Sequence, residues 1–460
     1  MKELMKATLQ FWQKIARQFH PAHILALSFL FLILVGTLLL ALPVSKLDPN
    51  ARLIDALFIS TSATCVTGLA PLDISATYTF FGNVVILLLI QFGGLGIMTF
   101  STFFAYILAG RLSMRGRDLI ENSISSQPVP YLGRLLKFAV IGTLLIEGIG
   151  AVILTLRFSQ DYRLGKALWL GIFHSVSAFC NAGFSPFNSS MMGYASDVTI
   201  SLTVMVLIVL GGLGFWVLYD LFYWRPRGRK RLTLHSKIAL GVSGWLILIG
   251  ACLLLFFEGD NTMRGFDAGG KLLSSFFQSI TARTAGFNSL PIDKLTNGAL
   301  IVLIILMAIG ASPGSTGGGI KTTTFAIIMA SFFTRLRSKE QVRIFERGIP
   351  EQIVTKAIGI SFFWVMAVSL AALLMAVTES SGPPDPLARN TMVEIVFEAF
   401  SALGTVGLSM GFTPRLSDGG KLIIILLMYI GRIGPVTLAI SIASQKSLPV
   451  RYAEENVIVG

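Results

Sequence analysis

Charge is scarce in this sequence: 13% of its 460 residues are Asp, Glu, Lys or Arg, against roughly 25% in an ordinary soluble domain. A chain this poor in charge, with 53% hydrophobic residues and a mean hydropathy of +0.74, cannot clothe a soluble surface, which leaves a polytopic membrane protein. Cysteine is scarce too. Cys65, Cys180 and Cys252 are scattered singles, and His20, His23, His174 and His235 stand at no ligand spacing, so neither a disulfide framework nor a zinc site is written here. The lack of any His, carboxylate or nucleophile constellation argues against an enzyme. A cleavable leader is also missing: the first long apolar run, 24–42, ends in Pro43 rather than at a small-residue cleavage site, and reads as a retained first span.

The net charge of +13 suggests nucleic acid only until its placement is read. Basic residues gather at Lys2, Lys6, Lys14 and Arg17; at Arg111, Arg115, Arg117, Arg134 and Lys137; at Arg225, Arg227, Arg229, Lys230, Arg231 and Lys237; and at Arg335, Arg337, Lys339, Arg343, Arg347 and Lys356. Each cluster flanks apolar spans, while the alternate loops at 258–271 and 379–394 are balanced or acidic. That asymmetry is the positive-inside pattern, and it puts both termini in the cytoplasm. Lipid, not nucleic acid, is the expected surrounding.

What the chain has in abundance is glycine, 45 residues, in a repeated setting. SATCVTGL at 62–69 returns as SAFCNAGF at 177–184, ITARTAGF at 280–287 and SALGTVGL at 401–408, which aligns Gly68, Gly183, Gly286 and Gly407 at intervals of 115, 103 and 121 residues. One SxxxxxG match means little, but four copies in the same hydropathic setting mark an internal repeat and suggest a ring around an axis.

Taken in order, each copy follows a short apolar segment: 53–64, 167–179, 271–281 and 392–402. At 1.5 Å per residue these are too short for a hydrocarbon core of roughly 30 Å, so they read as re-entrant half-helices. Long apolar runs flank them at 24–42 and 80–108, 135–156 and 198–222, 238–257 and 299–333, and 353–377 and 421–443. The expected fold is all-α, with four tandem helix, pore-loop, helix repeats about a central pore, eight membrane spans and four pore helices. The repeats fall at 1–115, 116–232, 233–347 and 348–460. Glycines recur in the return spans as GGLG at 93–96, GGLG at 211–214, Gly310 and GRIG at 431–434, where small residues permit close helix contacts.

Irregular backbone at membrane depth is tolerated only where protein shields it or a wet cavity adjoins it. A cation in a narrow pore exchanges its hydration oxygens for main-chain carbonyls, and glycine's freedom at positive φ lets four strands crowd one axis. The filter candidates are Thr64, Cys65, Val66, Thr67 and Gly68; Cys180, Asn181, Ala182 and Gly183; Arg283, Thr284, Ala285 and Gly286; and Gly404, Thr405, Val406 and Gly407. Helix C-caps are the plainer account of any single glycine. The motifs hold no carboxylate ring for a calcium-type filter, and Arg283 stands alone, so they hold no anion-selecting ring either.

The third return span is interrupted by AIGASPGSTGGGIK at 308–321, where proline and five glycines should break the helix near the membrane centre. Gly310, Ser312, Pro313, Gly314, Ser315, Thr316, Gly317, Gly318, Gly319 and Lys321 are the gate candidates, lying under the filter with the three hydroxyl side chains exposed to water. A static kink is the alternative. The superficial P-loop pattern fails because Ile320 separates Gly319 from Lys321 and the setting is an apolar span. Arg432, costly at membrane depth, stands near the loop's level, where it would bond loop carbonyls or repel cations. Glu147 and Glu398 read as hydrogen-bonded structural partners, for Arg283 or a helix end.

On TCVTGL at 64–69, CNAGFS at 180–185, RTAGFNS at 283–289, GTVGLSMG at 404–411, the glycine-rich break and the Arg in the last helix, the chain resembles the Trk/Ktr/HKT superfamily of potassium transporters over nearly its whole length. It is most similar there to the Ktr membrane subunits, beginning almost directly at the first repeat and ending in RYAEENVIVG. The resemblance implies potassium uptake across a prokaryotic plasma membrane, often sodium-stimulated, by a homodimer with one pore per chain. K+ would be held at the carbonyls near Gly68, Gly183, Gly286 and Gly407, with no organic cofactor in this chain. It also implies a cytosolic ring of nucleotide-binding regulatory subunits docked on the basic loops. A less selective or sodium-permeable pathway, and a membrane assembly subunit without conduction, stay open as alternatives.

Overall fold

A computed structural model describes residues 21–48, 51–111, 130–224, 232–379 and 388–434. Both termini, the C-terminal RYAEENVIVG, and the basic residues Lys2 to Arg17, Arg115, Arg117 and Arg225 to Arg231 lie outside the described residues. Helix dominates, and the one sheet among the described residues is a two-stranded ribbon, Arg343–Ile344 with Arg347–Gly348.

The helices follow the fourfold scheme. Four outer helices come first in each unit: α1 (Pro21–Ala41), α4 (Pro130–Phe158), α8 (Leu234–Glu258) and α12 (Glu351–Glu379). Each leads to a shorter helix, α2 (Leu53–Thr64), α5 (Leu164–Phe179), α9 (Ala268–Thr281) or α13 (Ala388–Gly404). These begin up to four residues before the apolar runs because polar or glycine residues at their outer ends still join the helix. Return helices then follow: α3 (Phe80–Arg111), α6 (Val198–Leu213) with α7 (Phe215–Phe222), α10 (Asn297–Ala308) with α11 (Thr322–Leu336), and α14 (Asp418–Ile433). Caps start them. Thr79, Asp197, Thr296 and Ser417 offer side-chain oxygens to the N–H groups of Gly82, Ile200, Ala299 and Gly420, each such cap being worth about 1 kcal/mol.

Among the described residues four helices, 19 to 29 residues long, suffice by length and apolarity to cross a membrane unaided: His23–Ala41, Lys137–Phe158, Leu234–Glu258 and Glu351–Glu379. These are the outer helices, whose exposed Leu27, Phe31, Leu145, Phe256, Phe362 and Val377 face outward as lipid-facing side chains do. Of the return helices, α3 is one continuous helix of 32 residues. The third is broken as Pro313 and its glycines dictate, and the fourth is described only to Gly434. The second is a correction: 198–222 is not one straight span but α6 and α7, bent by 100° at Gly214.

Packing closes the units into a cycle. Each return helix lies against the short helix of the next unit, α3 on α5, α6 on α9, α10 on α13, and finally α14 on α2. The apolar core is divided accordingly among four seams. Leu40, Ile59 and Ile90 meet Phe173 and Phe184 at the first; Phe179 and Leu207 meet Phe277 and Phe287 at the second. Leu303 and Leu306 meet Phe397 and Leu408 at the third, and Trp364 and Met428 meet Ile33 and Phe58 at the last. The closing seam also carries a buried ion pair, Lys421 Nζ to Asp55 Oδ1 at 2.7 Å, beside the exposed pair of Arg52 with Asp418 at 2.8 Å.

Candidate functional site

The four motif loops converge where the short helices end. Gly68, Gly183, Gly286 and Gly407 have φ of +98°, +69°, +78° and +94°, a region open to glycine and strained for residues with a side chain. A Cβ on Gly68 would stand 2.5 Å from the carbonyl oxygen of Ala182, and one on Gly183 would stand 2.6 Å from that of Ala285. One on Gly286 would collide with Val406 O, and one on Gly407 with Thr67 O. Each glycine therefore touches the carbonyl of the residue that precedes the next glycine, and the fourth touches the first. The contacts form a closed ring of four.

Two positions before each glycine the backbone is left-handed again, at Val66 (+56°), Asn181 (+59°), Thr284 (+72°) and Thr405 (+49°), an uncommon state for β-branched residues. The intervening Thr67, Ala182, Ala285 and Val406 have no positive φ. Alternation of hand turns successive carbonyls to one side of a strand and N–H groups to the other. Hydroxyls behind the strands take up the polar groups on that far side. Gly68 N and Gly407 N donate to Ser62 Oγ and Ser401 Oγ at 3.0 and 3.1 Å, while Ser177 Oγ and Thr281 Oγ1 donate to Phe184 O and Phe287 O at 2.7 and 2.9 Å. The serine opening SxxxxxG was the visible sign of these anchors. The third unit departs by one residue: its anchor is Thr281, five before Gly286, where the others stand six before.

Side chains divide into two groups. Cys180 Sγ faces Glu147 Oε1 at 3.7 Å, and Glu147 Oε2 accepts from Gln91 at 3.2 Å. Arg283 reaches Ser243 Oγ at 3.0 Å and the carbonyls of Ser243 and Gly310 at 3.4 Å, so its side chain ties the strand to α8 and the broken helix behind it. Neither Glu147 nor Glu398 pairs with it; Glu398 accepts from Thr413 and, at 3.0 Å, from Ser409. With its amide oriented to suit the carbonyls around it, the Asn181 side-chain nitrogen donates to Ala178 O and Ile208 O at 3.0 and 3.2 Å. By contrast, the buried hydroxyls of Thr64, Thr67, Thr284 and Thr405 have no hydrogen-bond partner among the described residues, and buried polar atoms rarely lack one.

The broken segment lies against this ring. A Cβ on Gly317 would strike Thr284 Oγ1, and one on Gly318 would strike Thr405 Oγ1 and lie 2.7 Å from Gly404 O. Its ends are drawn together by Gly310 N to Ile320 O and Ile320 N to Ala308 O, both 3.0 Å, and by Ala311 N to Gly318 O at 3.2 Å. Lys321 Nζ reaches back to Gly317 O at 2.5 Å. The hydroxyl residues expected in water are instead buried: Ser312 bonds Thr322 at 2.9 Å, Ser315 bonds Ser312 O at 2.6 Å, and Thr316 bonds Phe179 O at 3.3 Å. The unforeseen bend at Gly214 explains their setting. Ending α6 there frees the carbonyls of Gly211 and Gly212, which accept from Thr316 N and Ser312 N at 3.3 and 3.0 Å, while Trp216 packs on Gly314 and Pro313 crosses Gly214.

Arg432 completes the arrangement. Arg432, 4% exposed, donates from its guanidinium to the Thr316 carbonyl and, at 2.6 Å, to that of Gly93. It thus joins α14 to the broken segment and to α3, the bonding to loop carbonyls that its depth suggested. Gly93, Gly211 and Gly431 allow the return helices to approach the last carbonyls of their own short helices, Thr64, Phe179 and Leu403.

Known proteins resemble this chain in sequence and fold. The profile of the TrkH family, cation transport protein, matches residues 4–450. Ktr system potassium uptake protein B of Bacillus subtilis (strain 168) is 39% identical over 447 residues, covering 96% of this chain and 97% of its own. Its namesake from Vibrio alginolyticus is 39% identical over 440 residues, with 95% and 94% covered. Potassium/sodium uptake protein NtpJ of Enterococcus hirae is 36% identical over 459 residues, with 97% and 99% covered. The crystal structure of the potassium transporter TrkH from Vibrio parahaemolyticus superposes with a TM-score of 0.68 at 21% identity, over 91% of this chain and 85% of that one, a likeness of fold. With helices that suit a membrane, four loops closed into a ring and a family profile matched over almost its full length, the chain belongs to the TrkH family of cation transport proteins.

Proposed function

We propose that this chain is the ion-translocating subunit of a potassium uptake system, passing K+ down its electrochemical gradient along the axis of the four glycine loops. The closed cycle of glycine and carbonyl contacts carries the reading. Four strands crowd one point, their hydroxyl anchors hold the far side, and carbonyls are left to replace an ion's hydration shell. The orphaned hydroxyls of Thr64, Thr67, Thr284 and Thr405 add oxygens of the same kind at its approaches. Relatives named as potassium uptake proteins, alike from end to end, favour potassium as the cargo.

The segment 310–321, seated against the Thr284 and Thr405 hydroxyls, is the gate in this reading, and Arg432 is the clamp that holds it. Transport rather than catalysis is the activity. Ktr system relatives support a multicomponent assembly: a homodimer in the prokaryotic plasma membrane, both termini cytoplasmic, with a nucleotide-binding ring docked on the basic loops and sodium as activator. The four units at 1–115, 116–232, 233–347 and 348–460 would each supply one quarter of the pore.

Cation uptake into liposomes holding only the purified chain tests this under a negative interior potential. Potassium and rubidium entry above empty liposomes, well ahead of sodium and lithium, is the expected result. Equal entry of all four ions would replace potassium with an unselective pathway. No entry, both by the intact chain and after excision of 312–318, would end the conduction reading.

A further inference from the structure

A second set of contacts surrounds the ring and has a regular interval. His174 Nε2 meets Ser185 Oγ at 2.9 Å, Ser289 Oγ donates to Gln278 Oε1 at 3.3 Å, and Ser409 Oγ donates to Glu398 Oε2 at 3.0 Å. In each case a residue on the short helix holds a serine eleven positions later, just past the glycine. His174, Gln278 and Glu398 are fully buried. Each lies three residues before the anchor hydroxyl of its own unit, Ser177, Thr281 and Ser401, hence on the same helix face. The third unit makes the point sharply. There the glycine has moved one residue toward the helix, yet the interval from Gln278 to Ser289 is unchanged. In the first unit the same register falls on Ile59 and Ala70, both in the apolar seam with Phe173 and Phe184.

We propose that His174, Gln278 and Glu398 are positioning residues, struts that fix each strand as it leaves the ring, and that the first unit, lacking one, is the compliant quarter of the filter. Imidazole, amide and carboxylate share little except the ability to pair with a serine hydroxyl, so the hydrogen bond rather than charge is the common element. The anchors hold the strands' entry and the struts hold their exit. Together they set how far the carbonyl spacing can relax around a smaller ion, which makes the struts specificity-determining for the transport proposed above, on which this inference rests.

The test reads ion binding directly and does not require an open gate. Binding to the native state raises the melting temperature, so midpoints for stabilisation by K+ and by Na+ are measured on the purified full chain. Ser289→Ala removes the strut bond alone, while Ser185→Ala also removes the bond accepted from Phe187 N and Ser409→Ala those accepted from Gly411 N and Thr413 Oγ1; each should narrow the ratio of the two midpoints about two- to tenfold. Glu398→Gln, which keeps an acceptor, should stay within about twofold of the parent, whereas Glu398→Ala should not. Building the missing strut with Ile59→Gln and Ala70→Ser should widen the ratio. An unchanged ratio with a lowered ion-free melting temperature would mean the contacts are structural only, and an Ile59→Gln/Ala70→Ser chain that folds without widening the ratio would overturn the proposal as well. If the parent itself shows no K+-dependent stabilisation, the ion-pathway reading fails, a result distinct from either.

Discussion

Arg432 on the last return helix holds the carbonyl of Thr316, a residue 116 positions away in the broken third one. Because the same guanidinium holds Gly93 O at 2.6 Å, three of the four units meet at one buried cation. Its removal is the most direct probe of the proposed gate. Charge-assisted hydrogen bonds are worth about 1.5–3 kcal/mol each, so Arg432→Gln should raise basal rubidium flux in liposomes by at least about tenfold. Flux equal to the parent's, in a variant that elutes and melts as the parent does, would count against a clamp.

Excision of Ser312 to Gly318 probes the segment itself. The bonds from Ala311 N to Gly318 O and from Gly310 N to Ile320 O already hold the two stems side by side, so the helix can be rejoined across a short gap. Basal flux should rise more than in the Arg432 variant. An intact protein with parental flux would mark 310–321 as a fixed kink.

At the ring, Gly183→Ala adds a methyl group 2.6 Å from Ala285 O and places alanine at φ +69°. The left-handed backbone alone costs about 1–2 kcal/mol, and the collision adds to that. Rubidium uptake should fall at least about tenfold while gel-filtration behaviour is retained. Gly286→Asp should likewise block flux or disturb selectivity, and undisturbed potassium flux in it would remove Gly286 from the ion path.

The closing seam makes a different prediction, one about stability. Lys421→Met leaves buried Asp55 with only the more distant Arg52 guanidinium, Nε 3.6 Å from Oδ2, and removing one partner of a buried pair costs about 3–5 kcal/mol. Adding Asp55→Leu should restore much of the loss, because an apolar pair suits this interior as well as an ionic one. Thermal melts of the two variants decide it: a double variant no better than the single would show that the bond Asp55 accepts from Arg52 N, 3.3 Å at the start of α2, outweighs the pair with Lys421.

Much of this was legible in the sequence because it is written in glycine, proline and hydropathy. Four glycines followed by Leu or Phe, preceded by segments too short to span a bilayer, located the ring before any fold was known. Proline 313 among five glycines located the broken helix. What escaped notice depended on partners far away in the chain. The bend at Gly214 looks like one more GGLG packing motif until Ser312 and Thr316 are seen taking the carbonyls it frees. The same segment shows why hydroxyl residues at membrane depth need not meet water: three of them find oxygens within the protein. Asp55 and Lys421 carry no local sign of their pairing across 366 positions, and Arg283, though in a motif, directs its side chain behind the strand. The register of eleven was present all along in the letters, but only the geometry gives it meaning.

In a pore assembled from four copies of one short chain, any substitution is made four times at once, and each position is a compromise among four identical demands. Here the ring is a single polypeptide, closed on itself by Lys421 and Asp55. One quarter can carry an imidazole, another an amide, a third a carboxylate and the last only Ile59, so natural selection can adjust the symmetry of the ring one step at a time.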